Sequence, residues 1–128
     1  MILPGLAEYA DWALFLLRLW IAILFGSSGW SHAKEPRERA KSVGLSPPAT
    51  VALGIVEIGA AVLLVLGLWD QIAAAAIVVV MLGAIQKKAF VWKTGFWGED
   101  SNGWYYDVLY LICALVILTT GGGSIGID

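Results

Sequence analysis

Two charged residues interrupt apolar segments of this 128-residue chain, and they are its first candidates for chemistry. Arg18 lies within "LLRLWIAILF" and Glu57 within "GIVEIGAAVLL". A charge at the centre of a membrane span costs roughly 2.5 to 3.5 kcal/mol on insertion scales, so each residue requires a partner. The pair either fixes helix register or forms a site in which the guanidinium holds a carbonyl or anionic oxygen and the carboxylate exchanges a proton. The residues alone leave both interpretations open.

A second polar group is predicted near one end of the apolar segments. Lys87 lies toward the end of one segment and Asp107 in the first turns of the next, which places them at similar depth, with Tyr110 nearby. Lysine and tyrosine often serve only as interface anchors, so a structural role and a binding role are both open. His32, the single histidine, either exchanges a proton or has no role. Trp20 is a further candidate, as a surface against which a ring packs.

Four apolar runs must position these residues, since 59% of the chain is hydrophobic and its mean hydropathy is +0.80. Ordinary soluble domains are about 45 to 50% apolar. Each run is near the ~20 residues that span a hydrocarbon core. The predicted spans are residues 11–30, 48–68, 71–90 and 104–120. We therefore expect an all-α protein, a single transmembrane domain over residues 1–128 that forms an antiparallel four-helix bundle.

Lysine and arginine indicate the topology of this bundle. They are concentrated in the predicted loops 31–47 and 91–103 and in the adjoining helix ends. By the positive-inside rule these loops are cytoplasmic, so both termini face the outer side. Glu8 and Asp11 precede the first run, where a cleaved signal peptide would carry positive charge, and the run is therefore predicted to be a retained helix. The expected location is a cell membrane crossed several times, most simply a prokaryotic inner membrane.

Composition limits the chemistry that the chain can perform by itself. Cys113 is the single cysteine, which excludes a disulfide framework, a CxxC redox pair and a thiolate metal cluster within one chain. One histidine cannot hold a haem between two histidines. We therefore expect no metal, no covalently bound cofactor and no redox centre. A net charge of −2 and basic residues beside the spans argue against nucleic acid as a partner and leave the lipid bilayer as the expected one.

The order of these features resembles the DoxX family of small membrane proteins. The resemblance runs along "LLRLWIAILFGSSGWSHAKEP" and "LGIVEIGAAVLLVLGLW", and it closes on "GGGSIGID", which is similar to the family's glycine-rich ending in Ser, a hydrophobic residue and Asp. The residues that match the family pattern are Arg18, Gly29, Glu57 and Asp128. His32 or Lys34 stands in for the family's basic residue after the glycine, and the third span ends in Gln86 where relatives often have a histidine.

This resemblance implies an integral membrane four-helix protein, which in some members is a subunit of a thiosulfate:quinone oxidoreductase or of a terminal quinol oxidase. Our first hypothesis is a subunit that binds a quinone or lipid headgroup at the Arg18 and Glu57 layer, while a membrane or periplasmic partner subunit holds the redox centre. Arg18 would orient a carbonyl oxygen and Glu57 would move the proton. The alternatives are a non-catalytic membrane scaffold or stress-resistance accessory protein, and a small lipid or metabolite carrier. Homo-oligomerisation is left open.

Overall fold

The computed structural model describes residues 2–98 and 103–127, and within these ranges the secondary structure is helical, without a β-strand. The α-helices are α1 (Ala10–Lys34), α2 (Pro36–Val43), α3 (Pro47–Leu66), α4 (Asp70–Gln86) and α5 (Tyr105–Thr120). A 3-10 helix, Pro4–Tyr9, leads into α1, and a π-helical turn, Lys87–Val91, continues α4. Asp128 lies outside the described residues.

Three helical segments are long and apolar enough to cross a membrane. They are Pro4–Lys34, Pro47–Leu66 and Asp70–Val91. Helix α5 is also apolar but has only 16 residues, about 24 Å at 1.5 Å per residue, compared with a hydrocarbon core of about 30 Å. The structure therefore has three helices of full spanning length within the described residues, where the sequence predicts four.

Helix α2 lies where the sequence predicts a loop, over residues 31–47. Pro36 occupies its first turn, a position where the missing N–H does not matter. Gly44 ends it in a left-handed conformation, with φ at 72°, which glycine adopts without steric penalty. These two residues delimit two helical turns within an otherwise polar segment. The predicted connection between the first two spans therefore contains a short helix, Pro36–Val43.

Helices α1 and α3 pack at backbone distance, because glycines face each other where they meet. A Cβ atom placed on Gly29 would lie 2.7 Å from the carbonyl oxygen of Gly54, and one placed on Gly54 would lie 2.6 Å from that of Gly29. Close approach through small residues is typical of helix contacts in membranes. Helix α4 packs against α3 and α5. The buried apolar core includes Ile21, Ala61, Leu64, Ala74, Ile77, Ala114 and Ile117.

The helices have two distinct ends. We call the end that carries α2 the α2 side; there α1 and α4 end and α3 and α5 begin. We call the opposite end the terminal side, because the backbone N–H of Ser124, near the C-terminus, donates there to Asp11 Oδ1, 3.1 Å away. The buried polar residues divide between these two ends.

Candidate functional site

Arg18 and Glu57 have different partners and do not form one layer. Arg18 Nη1 lies 3.1 Å from Asp70 Oδ2, whereas Glu57 Oε1 lies 2.9 Å from His32 Nδ1. Arg18 and His32 are about 21 Å apart along α1, at 1.5 Å per residue. The predicted Arg18 and Glu57 layer is therefore wrong. Side chains lean toward the N-terminus of their own helix, which carries the two residues apart because α1 and α3 run in opposite directions.

Arg18 belongs to the terminal side, where it fastens the C-terminal segment. Its side chain and that of Asp70 are 1% and 6% exposed, so the ion pair is buried. Arg18 Nη2 also donates to the carbonyl oxygen of Ile125. A Cβ atom on Gly67 would collide with the guanidinium and with Gly126, which explains a glycine at this crossing. Arg18 thus connects α1 to the start of α4 and to the C-terminal segment.

A cavity of about 620 Å³ lies on the α2 side. This volume falls within the ~300 to 1,000 Å³ typical of small-molecule sites. Most of the sequence-predicted candidates line it, namely His32, Glu57, Lys87, Asp107 and Tyr110. Trp20 does not, because its side chain is 61% exposed on the outer face of α1. The structure thus unites Glu57 with the polar group that the sequence analysis treated separately, and excludes Arg18 and Trp20.

His32 and Glu57 form the buried centre of the cavity wall. They are 4% and 3% exposed, and α1 and α3 bring them together at the Gly29 and Gly54 contact. Ser28, one turn earlier on α1, places its hydroxyl 3.4 Å from the same His32 Nδ1 atom. His32 Nε2 is buried and has no hydrogen-bond partner in the described part of the chain. An imidazole in a cavity wall, with one nitrogen 2.9 Å from a carboxylate oxygen and the other without a partner, can transfer a proton between a ligand and the carboxylate.

Arg39 of α2 is a site residue that the sequence analysis did not single out. It lines the cavity and lies close enough to Glu57 and His32 to interact electrostatically with both. Its Nε atom is buried and finds no hydrogen-bond partner within residues 2–98 and 103–127. The available signal was the sequence of α2, "PRERAKSV", in which proline and the following glycine mark a short capped helix.

Lys88, and not Lys87, pairs with Asp107. Lys88 Nζ lies 2.9 Å from Asp107 Oδ2 and also donates to the Tyr106 hydroxyl. Lys87 Nζ instead donates to the carbonyl oxygen of Gly44, 2.6 Å away, at the end of α2. Lys87 and Asp107 line the same cavity, as their predicted similar depth requires, but the ion-pair partner of Asp107 is the neighbouring Lys88. Lys87 begins a π-helical turn, in which successive side chains have a different angular spacing from those of a regular α-helix.

The rest of the cavity wall is aromatic and aliphatic. The Tyr110 ring meets Phe25 edge-on, with ring centroids 5.9 Å apart, and meets Tyr106 at 6.1 Å. The aliphatic lining residues include Leu24, Leu53, Val79, Val80 and Met81. The ionisable lining residues are His32, Arg39, Glu57, Lys87, Lys88 and Asp107. A molecule with a polar head and an apolar body matches this division.

Comparison with known proteins gives the family of the chain. The family model described as DoxX matches residues 13–92. The chain belongs to the DoxX family. The match covers Arg18, His32, Glu57 and Lys87 and ends before α5, so Asp107 lies outside it. No curated protein and no solved structure matched this DoxX chain. Together with three membrane-length helices, family membership identifies a multi-pass membrane protein.

Proposed function

We propose that this DoxX protein is a membrane subunit of a quinone-linked oxidoreductase, of the thiosulfate:quinone or quinol oxidase type, and that it binds the quinone head in the cavity on the α2 side. The observation that carries the proposal is the His32 and Glu57 pair, which is buried in the wall of a cavity of about 620 Å³. A pocket with a few convergent polar groups in apolar surroundings is the usual form of a small-molecule site.

The buried pair supports a defined role in proton transfer. When the neutral imidazole carries its proton on Nδ1, 2.9 Å from Glu57 Oε1, the Nε2 atom is an acceptor without a hydrogen-bond partner among the described residues. A hydroxyl on the ligand head can then give its proton to Nε2 while Nδ1 passes a proton to the carboxylate. Arg39 adds a permanent cation to the same cavity wall, which favours a carbonyl oxygen or an oxyanion on the head. Electrons would pass to a redox centre in the partner subunit.

The proposed membrane arrangement is an antiparallel four-helix bundle with both termini on the outer side of a prokaryotic inner membrane. Helix α5 would be the fourth span, completed by the adjoining Trp104 and the tail. The basic residues on the α2 side support this orientation, since Lys34, Arg37 and Lys41 all lie there. The cavity would then be near the cytoplasmic face. This location favours a partner subunit that reaches that face, and it leaves a second copy of this chain as a further partner.

Native mass spectrometry of the gently extracted protein tests the proposal, with identification of bound small molecules and co-purifying subunits. Wild type is expected to retain a quinone at one per chain, and Glu57→Gln and His32→Gln to lose it. Asp11→Asn is the control, because it neutralises a carboxylate on the terminal side, outside the cavity, and keeps the Oδ1 atom that accepts from Ser124. If wild type carries no quinone, and if the cavity substitutions do not change the bound molecules, quinone binding is refuted. This result would favour the scaffold, in which His32 and Glu57 only stabilise helix packing.

A further inference from the structure

Some residues of the cavity wall also belong to the outer surface of the protein. Val79 lines the cavity, yet its side chain is 69% exposed. Gly83, one turn later on α4, also lines the cavity and is exposed, and a Cβ atom on it would meet no atom within 4 Å. Both residues lie inside the membrane-length segment Asp70–Val91, where the outer surface faces hydrocarbon. The cavity is therefore continuous with the lipid-facing surface of α4.

The opening is a window between α3 and α4 with two defined ends. Toward the terminal side, Ala60 and Leu64 of α3 share one buried cluster with Ala74 and Ile77 of α4, so the two helices are in close contact there. Burial along α4 stops at Met81, within the described residues. Toward the α2 side, the bond from Lys87 to the Gly44 carbonyl ties the continuation of α4 to the end of α2. The window lies between these two contacts.

The lining of the window is apolar. Leu53 on α3 and Val79, Val80 and Gly83 on α4 form its sides, and the polar pair of His32 and Glu57 lies deeper. A water-soluble anion is not expected to enter from the hydrocarbon, because leaving water without forming new hydrogen bonds costs free energy. An apolar chain enters without that penalty, and a polar head attached to it reaches the buried pair. The cavity is also larger than a single ring-sized head requires.

We infer that the window admits and holds the apolar chain of a lipid-soluble ligand whose compact, hydrogen-bonding head lies at His32 and Glu57. The inference rests on the proposed head site and adds the ligand class and its route of entry. A quinone and a free fatty acid share this chemistry, since each joins a small polar head to one flexible chain. The two differ in the head, and binding experiments distinguish them.

Binding to the protein in lipid nanodiscs tests the inference, with affinity expressed per mole of probe in the lipid phase. The probes are a decyl-substituted dimethoxymethylbenzoquinone, the same ring without the decyl chain, and decanoic acid. Because the chain already lies in hydrocarbon, it gains no further transfer free energy, and the decyl compound is expected to bind a few-fold more tightly than the bare ring through van der Waals packing of its chain along the window. Gly83→Trp should abolish that difference and leave binding of the bare ring unchanged.

Leu82→Trp is the matched control, since Leu82 is the neighbouring residue on α4, is 52% exposed and is absent from the cavity wall. It should bind all probes as wild type does.

If Gly83→Trp fails to fold, Val79→Trp obstructs the same window. Equal affinities for the decyl compound and the bare ring, unaffected by Gly83→Trp, would overturn the window and leave the head site standing. Failure of both quinones to bind would overturn the head site as well. Decanoic acid as the tightest probe, weakened by Gly83→Trp, would support the window with a fatty acid as occupant.

Discussion

His32 Nδ1 lies 2.9 Å from Glu57 Oε1, in a layer that is separate from the buried ion pair of Arg18 and Asp70. The first pair faces a cavity, whereas the second joins two helices and the C-terminal segment. The two buried pairs therefore lie in different surroundings. The pair on the terminal side connects two helices and the C-terminal segment, and the pair on the α2 side lines a cavity.

The pair on the terminal side predicts a double-mutant result. Arg18→Leu leaves the Asp70 carboxylate buried without its cation and is expected to reduce the free energy of unfolding by roughly 3 to 5 kcal/mol. Arg18→Leu combined with Asp70→Leu should recover most of that loss, because both charges are removed together. Chemical unfolding in detergent micelles measures the three variants. A double variant less stable than Arg18→Leu alone would contradict this assignment.

The glycine contact between α1 and α3 predicts a stability effect of a single methyl group. Gly29→Ala places a Cβ atom 2.7 Å from the Gly54 carbonyl oxygen, so the helices must separate at a cost of roughly 1 to 3 kcal/mol. The same variant should weaken quinone binding, since Glu57 lies at this contact.

Gly59→Ala is the control for that substitution. A Cβ atom on Gly59 meets nothing within 4 Å, so this variant should be as stable as wild type or slightly more so. Thermal unfolding followed by circular dichroism compares the two alanines. Equal melting temperatures for Gly29→Ala and Gly59→Ala would show that the close approach of α1 and α3 is absent.

Substitutions of the neighbouring residues Lys87 and Lys88 are predicted to differ in their effect on stability. Lys88→Met leaves Asp107 buried without its ion-pair partner and should lower stability strongly, by roughly 3 kcal/mol or more. Lys87→Met removes one exposed hydrogen bond to Gly44, which contributes about 0.5 to 1.5 kcal/mol. Its larger effect should be local, as faster proteolytic cleavage near α2. A larger loss of stability in Lys87→Met than in Lys88→Met would favour a regular helix over the π-helical turn and would contradict the pairing of Lys88 with Asp107.

The sequence predicts which residues are buried and charged better than it predicts their partners. Arg18 and Glu57 stand out because each interrupts an apolar run, and both are buried. Their partners depend on how far one helix is shifted along the next, which periodicity does not encode. Asp70 is not among the candidates that the sequence predicts, and His32 is a candidate without a predicted partner.

Two local features account for most of the other differences. Helix α2 is short and polar, so no apolar periodicity marks it, although it brings Arg39 to the cavity. The π-helical turn at Lys87 gives no hydrophobic signal either, and within it Lys87 and Lys88 have different partners, the Gly44 carbonyl and Asp107. The resemblance to DoxX is confirmed by the family match over residues 13–92. Quinone binding and an oxidoreductase partner stay predictions.

The central claim is that the His32 and Glu57 pair binds the ligand head and takes up its proton. Infrared difference spectroscopy of the protein in nanodiscs, loaded with the reduced decyl compound (the quinol) and then chemically oxidised, measures this directly. We expect a change in the carboxylic acid C=O band that disappears in Glu57→Gln and persists in Asp11→Asn, whose carboxylate lies on the terminal side, outside the cavity. The same spectrum from wild type and Glu57→Gln would contradict the claim.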